Sequence, residues 1–474
     1  MNLPEEVIIL ANKFAKSNFH LYLVGGPVRD LKLGRTTKDW DFTTDATPEQ
    51  VLEIFPQGFY ANTFGTVVIP LKYLTNFSPV SERSNSKSDF TEEEFLELTG
   101  EVFDITTMRK ESGYQDSRHP TEIEWTKDII EDLGRRDFTI NAMAIDVTSG
   151  QLGELFDPYD GRIDLKEQLI KAVGDPSKRF NEDALRLMRG IRFATQLHFI
   201  IEDNTLNAIK QNAQLIKNIS WERIRDELFK ILSAEDPYRG IILLRETGLL
   251  QNILPELERC FGVMQEGPKH DRIYDIGDHS LLSLKNCPSQ DPLVRLAALI
   301  HDVGKPDTYG TQEDGNVTFY AHDVVGAKIA KKIGERLRLS RKQIDKLERL
   351  VRYHMFSVNE EQTDAAIRRF IKNVGLENID DMIAVRIADR LGGGTETAVS
   401  WRMSEFRNRI DQVLEKPFSV SDLKINGTDV MEITGLKPSR EVGDLLQKLF
   451  AEVLEDNSKN DREYLVKRLK EINV

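Results

Sequence analysis

The sequence predicts an α+β chain: a first part that mixes strands with helices, followed by helices to the end. Three observations carry this reading. Runs rich in β-branched and aromatic residues, "FHLYLVGG", "GTVVIPLKYL", "EVFDITTMR" and "TEIEW", all fall within the first 150 residues. After Tyr159 the apolar residues recur at spacings of three and four, as in "NEDALRLMRGIRFATQL" and "WERIRDELFKILSA". From Leu281 onward nearly every segment keeps that helical spacing. A chain of 474 residues is also too long for one ordinary core. We expect four parts: 1–150 with the sheet, a helical neck at 151–240, a second helical part at 241–400 and a helical tail at 401–474.

The bulk numbers exclude some classes. The chain is 40% hydrophobic and 30% charged, as expected of a water-soluble globular protein. Apolar runs fall far short of the roughly 20 residues that span a bilayer, so no membrane partner is expected. "MNLPEEVIILANKFAKSNFH", with Glu5 and Glu6, reads as an amphipathic helix and not as a signal peptide. Cys260 and Cys287 are the only cysteines, which implies no disulfide framework and fits a reducing cytoplasm. A net charge of −14 argues against indiscriminate nucleic-acid binding, although a local basic groove would still allow a nucleic-acid enzyme.

Along the chain, the first chemical signal is "LVGGPVRDLKLGRTTKDWDFTTD". A glycine pair at Gly25 and Gly26 lets the backbone approach a phosphate group closely, and Arg29 supplies charge. On a strand, Asp39 and Asp41 would point the same way because the side-chain period is two. Two like charges side by side call for a cation between them. Oxygen-only donors suit Mg²⁺, which brings substrate phosphates with it. Asp104 on "EVFDITTMR" is the candidate third carboxylate. Two metals could then activate a hydroxyl and stabilise a leaving pyrophosphate. Between the strand candidates lies a polar, Ser-rich stretch, Thr75 to Phe95, which reads as an exposed insertion.

Farther on, "EDLGRRDFTINAMA" carries Arg135, Arg136, Asp137 and Asn141. Asp137 offers an acceptor for a ribose hydroxyl, whereas Asn141 fits equally well as a tie between strand and helix. In "EDALR", Asp183 and Arg186 are expected as neighbours at i and i+3 of one helix. An acceptor beside a donor matches the amino group and ring nitrogen of cytosine and of adenine. Guanine and uracil present the reverse order and would leave buried polar groups mismatched. Arg189, one turn on, could reach phosphate.

These stretches, with "RRDFTINAMAID", "RFNEDALRLMRGIRFATQL" and "ERIRDELFKIL", resemble in content and order the motifs of class II tRNA nucleotidyltransferases, the CCA-adding enzymes, whose superfamily includes bacterial poly(A) polymerases. The resemblance implies a polymerase-β-like nucleotidyltransferase head followed by helical neck, body and tail. It implies tRNA, CTP and ATP as partners, Mg²⁺ at the head, triphosphate binding by the Arg135–Asn141 motif and base selection by Asp183 and Arg186. "TTMRKESGYQDSRHP", with Arg109, Tyr114, Asp116 and Arg118, resembles the family's flexible loop, which is associated with the switch from C to A addition. Poly(A) synthesis and A-only addition are the alternatives within the superfamily. The tail "SDLKINGTDVMEITGLKPSREVGDLL" resembles the family's C-terminal module.

A second ordered set, "DIGDHSLLSL", "LAALIHDVGKP", "FYAHDVVGAKIA", "LVRYHMF" and "RIADRLGGG", holds His279, His301, Asp302, His322, His354 and Asp389. Histidine and aspartate on neighbouring helices can hold a divalent metal and its activated water. The set resembles the HD phosphohydrolase superfamily, with Lys305 just after the His-Asp pair. The resemblance implies a first metal on His279, His301, Asp302 and Asp389, a divalent transition metal being expected. His322 and His354 would bind a second metal or contact phosphate. The competing expectations are an HD fold serving only as a helical body, and a phosphohydrolase whose head merely binds RNA.

Overall fold

A computed structural model describes residues 3–37, 40–61, 65–75, 102–114, 120–265, 274–313, 316–356, 363–395, 401–414 and 420–472. Asp39, Asp116, Arg118 and the Ser-rich stretch from residue 76 onward lie outside the described residues. The chain divides into two compact units, Met1–Glu258 and Arg259–Val474.

The first unit is built on a mixed sheet. Its strands are β1 (Leu21–Val24), β2 (Asp41–Thr44), β3 (Phe59–Tyr60), β4 (Thr66–Pro70), β5 (Val102–Thr107), β8 (Ala144–Asp146) and β9 (Leu155–Phe156), in the order β3-β4-β5-β2-β1-β8-β9. A separate hairpin pairs β6 (Arg109–Tyr114) with β7 (Pro120–Trp125), Arg109 lying opposite Trp125. Strand alternation decides which side chains reach solvent. In β5, Phe103, Ile105 and Thr107 are buried while Val102, Asp104 and Thr106 are only partly so. β2 runs parallel to β5 and sets Asp41 level with Asp104. "GTVVIPLKYL" is not one strand: β4 ends at Pro70, and Lys72–Thr75 closes a helical turn, because proline removes a ladder donor.

The helix Glu5–Lys16 buries Val7, Leu10, Ala11 and Phe14 against this sheet's unit, Phe14 meeting Phe55 at 5.7 Å between ring centres. Each fully buried side chain of this size contributes about 1.5–3 kcal/mol. Helical spacing correctly places the helices Leu185–Leu197 and Trp221–Leu232. The expected single helix through "NEDALR" is corrected: the chain forms Pro176–Glu182, then breaks at Asp183 in an extended conformation, then resumes at Leu185. The break has a local cause. The Asp183 carboxylate accepts the Leu185 backbone N–H at 3.0 Å, the cap interaction for which aspartate competes with helix.

The second unit gathers the helices Ile276–Lys285, Pro292–Ile300, His322–Arg336, Arg341–Tyr353 and Ile379–Gly392. A small hairpin, Gly310–Thr311 with Val317–Thr318, interrupts the run expected to be helical. Farther along, Gly427–Thr434, Arg440–Glu455 and Arg462–Ile472 close their own apolar cluster around Val430, Leu449, Val453, Leu465 and Leu469.

Candidate active sites

Gly25 adopts φ +71°, a conformation that favours glycine, and leads straight into the helix Gly26–Lys32. A Cβ there would sit 3.0 Å from the Arg136 guanidinium. The bare backbone therefore lets Arg136 close over the turn. Together they form one wall of a cavity of about 430 Å³. Gly26, Arg29, Asp41, Arg135, Asp137, Asn141, Asp183, Arg186 and Arg189 line the same cavity. The structure thus brings together every residue predicted to bind nucleotide, with Asp41, at the start of the central strand β2, beside them.

The cavity is strongly basic. Its lining holds seven arginines, Arg29, Arg135, Arg136, Arg186, Arg189, Arg192 and Arg223, against three aspartates, Asp41, Asp137 and Asp183, while Asp30, Glu111, Asp132, Glu182 and Glu227 hold several of the guanidinium groups from behind. Such a surplus of fixed guanidinium groups suits a polyphosphate. Four residues of this lining, Leu185, Arg192, Phe193 and Arg223, escaped the sequence reading. Phe193 stands under the guanidinium groups of Arg29, Arg189 and Arg192 at 5.4, 5.3 and 4.2 Å from its ring centre. Arg192 is itself paired with buried Glu227 at 3.0 Å. Burial, with Arg189 adding to it, pulls its pKa down to about 10. Arg223, on the helix Trp221–Leu232, grips the Asp183 carboxylate at 2.9 and 3.4 Å.

Asp137 is buried. One oxygen accepts from the Phe138 backbone and from Asn141, the other from Arg189 at 2.7 Å. Burial alone would raise its pKa, but the Arg189 and Arg186 charges outweigh burial and hold it at about 2. Asn141 turns its carbonyl oxygen to Arg29 at 2.9 Å, so it ties the glycine-turn helix to the Asp137 motif. Arg186 donates to Glu182 at 2.8 Å and to the carbonyl oxygens of Arg179 and Arg135. Asp183 and Arg186 are therefore set not by pairing along one helix but by separate partners, with the break in the chain between them. Arg135 also reaches Asp132 and Glu111, the latter at 3.2 Å and shared with Arg109 of the β6–β7 hairpin.

In the second unit five helices deliver one cluster. Each imidazole Nδ1–H of His301, His322 and His354 donates to a backbone carbonyl oxygen three residues upstream, at 2.8, 2.8 and 2.7 Å. A carbonyl can only accept, so the Nε2 of each ring is the nitrogen left for the centre. The Nε2 atoms of His279 and His301 lie 3.1 Å apart, and those of His322 and His354 lie 3.4 Å apart. One Asp302 oxygen faces His279 and His301 at 3.4 and 3.2 Å, and the other faces His322 and His354 at 3.4 and 3.6 Å. Asp389 approaches His279 at 3.2 Å and His301 at 3.6 Å. Asp302 thus belongs to two ligand trios at once, His279-His301-Asp302 and Asp302-His322-His354.

The electrostatics fit a cation. Burial would raise the pKa of Asp302, yet His301 and Lys305 hold it well below the usual carboxylate range. Burial likewise opposes charge on His301, but Asp302 and Asp389 push its pKa up to about 10. Buried Asp302 and partly buried Asp389 thus lie among positive partners, and imidazole with carboxylate is a donor set for divalent metals. Arg386 holds the outer Asp389 oxygen at 2.7 Å, and Lys305 donates to Asp302 at 2.6 Å.

Three family comparisons match successive stretches: the poly A polymerase head domain over residues 21–171, the probable RNA and SrmB-binding site of polymerase A over 198–261, and the HD domain over 274–393. A CCA-adding enzyme of Ligilactobacillus salivarius is 30% identical, the match covering 99% of this chain and 98% of that one. An A-adding tRNA nucleotidyltransferase of Deinococcus radiodurans is 35% identical over 67% of this chain and 74% of its own. The crystal structure of a Bacillus stearothermophilus CCA-adding enzyme in complex with CTP superposes with a TM-score of 0.68 at 26% identity, covering 100% of this chain and 98% of that one. The basic cavity on the sheet, the helices that complete it and the likeness along both chains lead to one conclusion: this protein belongs to the family of the CCA-adding enzymes.

Proposed function

We propose that the protein adds CCA to the 3′ end of tRNA in the cytoplasm, taking CTP and then ATP and releasing pyrophosphate. In each addition the terminal ribose hydroxyl oxygen forms a bond to the α-phosphorus. The bond from that phosphorus to the β-bridging oxygen breaks, and the hydroxyl proton is lost. The observation that carries the reading is the single cavity that collects the glycine turn, the Arg135–Asn141 motif and the Asp183–Arg189 segment beside Asp41. Guanidinium groups of Arg29, Arg135 and Arg136 suit the triphosphate. Arg186 supplies a donor and Asp183 an acceptor for the base edge, and Arg223 holds Asp183 ready. Asp137 fixes Arg189, so its role is to position that guanidinium more than to touch ribose.

Asp41 and Asp104, level across β2 and β5, present an oxygen donor set suited to Mg²⁺, with Asp39 as the proposed third ligand. When bound, the metal would lower the pKa of the attacking hydroxyl and stabilise the leaving oxygens. We also propose that the His-Asp cluster hydrolyses phosphoesters at RNA ends, with two transition-metal positions sharing Asp302. His279, His301 and Asp389 would complete the first, His322 and His354 the second. When bound, the metals would supply an activated water. The four-part plan, with boundaries near 150, 240 and 400, remains our proposal for the domains. The family matches at 21–171 and 274–393 agree with a head at the start and an HD part later, while the match at 198–261 runs across the proposed boundary at 240.

The Deinococcus relative makes A-only addition the second reading. One assay separates the two. tRNA lacking CCA, tRNA lacking only A and complete tRNA are each given CTP, ATP or both. CCA addition requires that the first gain three nucleotides when both are present. Extension of only the A-lacking tRNA would establish A addition, and a long A tail would establish poly(A) synthesis.

A further inference from the structure

Arg135 lines the basic cavity, yet its guanidinium is gripped from two separate elements. Asp132, three residues earlier on the helix Ile129–Gly134, accepts from its Nε and from one terminal nitrogen at 2.9 and 2.7 Å. Glu111 accepts from the other terminal nitrogen at 3.2 Å, and Glu111 belongs to strand β6 of the separate hairpin. The same Glu111 oxygen accepts the Arg109 Nε–H at 2.6 Å. The Glu111 side chain is only 8% exposed. A carboxylate buried to this extent is costly unless it is paired. Here one of its oxygens is shared between a guanidinium of the hairpin and a guanidinium of the cavity. Those two cations repel each other: burial, and then the Arg135 charge, lower the pKa of Arg109. Glu111 supplies the negative charge that lets them approach. Asp132, fully buried, also accepts the Arg109 backbone N–H at 3.3 Å and holds Arg136 at 3.4 Å. Across the register from Arg109, Trp125 seats the hairpin on the sheet. A Cβ on Gly65 would stand 2.4 Å from the Trp125 ring.

We infer that Glu111 is a positioning residue for nucleotidyl transfer: through it the β6–β7 hairpin sets the Arg135 guanidinium for the triphosphate, so that hairpin seating and triphosphate binding are coupled. This rests on the reading above, in which Arg135 meets the triphosphate. Asp132 holds one edge of the guanidinium, and Glu111 holds the terminal nitrogen beyond that edge. The two grips together fix the plane of the group. A guanidinium fixed before the nucleotide arrives loses less freedom on binding it. Such a coupling is reciprocal, so a phosphate that engages Arg135 should in turn steady the hairpin through Glu111. The effect acts on the phosphates, which CTP and ATP share, and so it is separate from any choice between bases.

The test uses the full chain with Mg²⁺, and variants whose melting curves match the wild type. Glu111→Gln keeps the shape and removes the charge. It should raise KM for CTP and for ATP by roughly tenfold, leave kcat within about threefold, and leave the preference over UTP and GTP unchanged. The inhibition constant of pyrophosphate, which carries no base, should rise by the same factor. Glu111→Asp keeps the charge and should recover part of the loss. Trp125→Ala loosens the hairpin at a residue outside the cavity lining. It should raise the same KM values in the wild-type background and add nothing further in Glu111→Gln. Hydrogen exchange gives a readout apart from turnover: pyrophosphate should slow exchange at residues 109–114 in the wild type and not in Glu111→Gln. Independent, additive losses from Trp125→Ala and Glu111→Gln would overturn the coupling. So would an altered base preference, or a fall in kcat alone with pyrophosphate inhibition unchanged. Arg135→Ala separates the two readings. If it weakens pyrophosphate inhibition while Glu111→Gln does not, the positioning role fails and the triphosphate site stands. If Arg135→Ala also leaves pyrophosphate inhibition unchanged, the assignment of Arg135 to the triphosphate fails, and the role of Glu111 falls with it.

Discussion

Asp137 shows how a single buried charge can hold a binding site in shape. Its carboxylate lies between Arg189 and Asn141, and its pKa is held at about 2, against an ordinary 3.8. A carboxylate whose folded value is depressed contributes stability above its unfolded value and loses it as pH falls through the folded one. The contribution, about 2 kcal/mol for a shift of this size, should be fully present above about pH 4 and be lost on the way to about pH 2. Asp137→Asn should remove it. Urea unfolding of the first unit across pH 2.5–7 should show the wild-type protein losing that increment on acidification and the variant losing much less. The same resolution of partners applies to Asp183. Arg223→Ala leaves its carboxylate with only the Leu185 cap, free to turn from the base edge. We expect kcat/KM for CTP and ATP to fall by about tenfold, equivalent to about 1.4 kcal/mol, while UTP and GTP incorporation rises relative to both. Arg223→Lys should recover only part of that loss, because an ammonium cannot grip both oxygens. A uniform loss over all four nucleotides would make Arg223 a packing residue.

At the scale of elements, much of the plan was legible and the failures have physical causes. Runs of β-branched and aromatic residues exposed the strands, although β1 is buried throughout and shows no alternation, and period 3.6 exposed the neck helices, because burial of one face writes itself into the order of residues. The His-Asp set was legible because four histidines in one ordered pattern are rare chemistry. What stayed hidden was set by distant partners. Nothing local in "WERIR" says that Arg223 reaches Asp183, forty residues away, nor in "GIRFAT" that Phe193 lies under three arginines. The spacing of Arg186, Arg189 and Phe193 at three and four was the available signal. The break at Asp183 was missed because helical spacing outvoted an aspartate able to cap, and the 310–318 hairpin because each strand is only two residues long. Contacts between elements also explain a residue read only as part of a motif. A Cβ on Gly304 would stand 2.2 Å from the His322 carbonyl oxygen and 2.5 Å from the Gly326 nitrogen, both backbone atoms that cannot swing aside. Gly304→Ala should therefore force the His322–Arg336 helix away from the His301–Lys305 turn, costing on the order of 2–3 kcal/mol. His322 would be drawn off Asp302. Reduced bound metal, with the helix content of the protein retained, is the expected result by elemental analysis and circular dichroism.

Across the whole molecule, the two centres use different donors in different compact units, Met1–Glu258 and Arg259–Val474. Carboxylates beside a basic cavity suit a hard cation that arrives with phosphates. Imidazoles fixed by backbone carbonyls suit softer divalent metals held by the protein itself. The chemistries should therefore come apart by mutation and by metal. Asp41→Asn should reduce nucleotide addition at least a hundredfold while hydrolysis of a 2′,3′-cyclic phosphate continues. His301→Ala combined with Asp302→Ala should abolish hydrolysis and bound transition metal while CCA addition persists. Chelation of the wild-type protein should stop both. Mg²⁺ should then restore addition alone, since it binds imidazole poorly, and Mn²⁺, Ni²⁺ or Co²⁺ should restore hydrolysis. Both activities and the metal content are to be measured on one preparation of each variant. Recovery of hydrolysis by Mg²⁺ alone would contradict the assignment of imidazole ligands. Addition that survives Asp41→Asn at near-normal rate would contradict the carboxylate site.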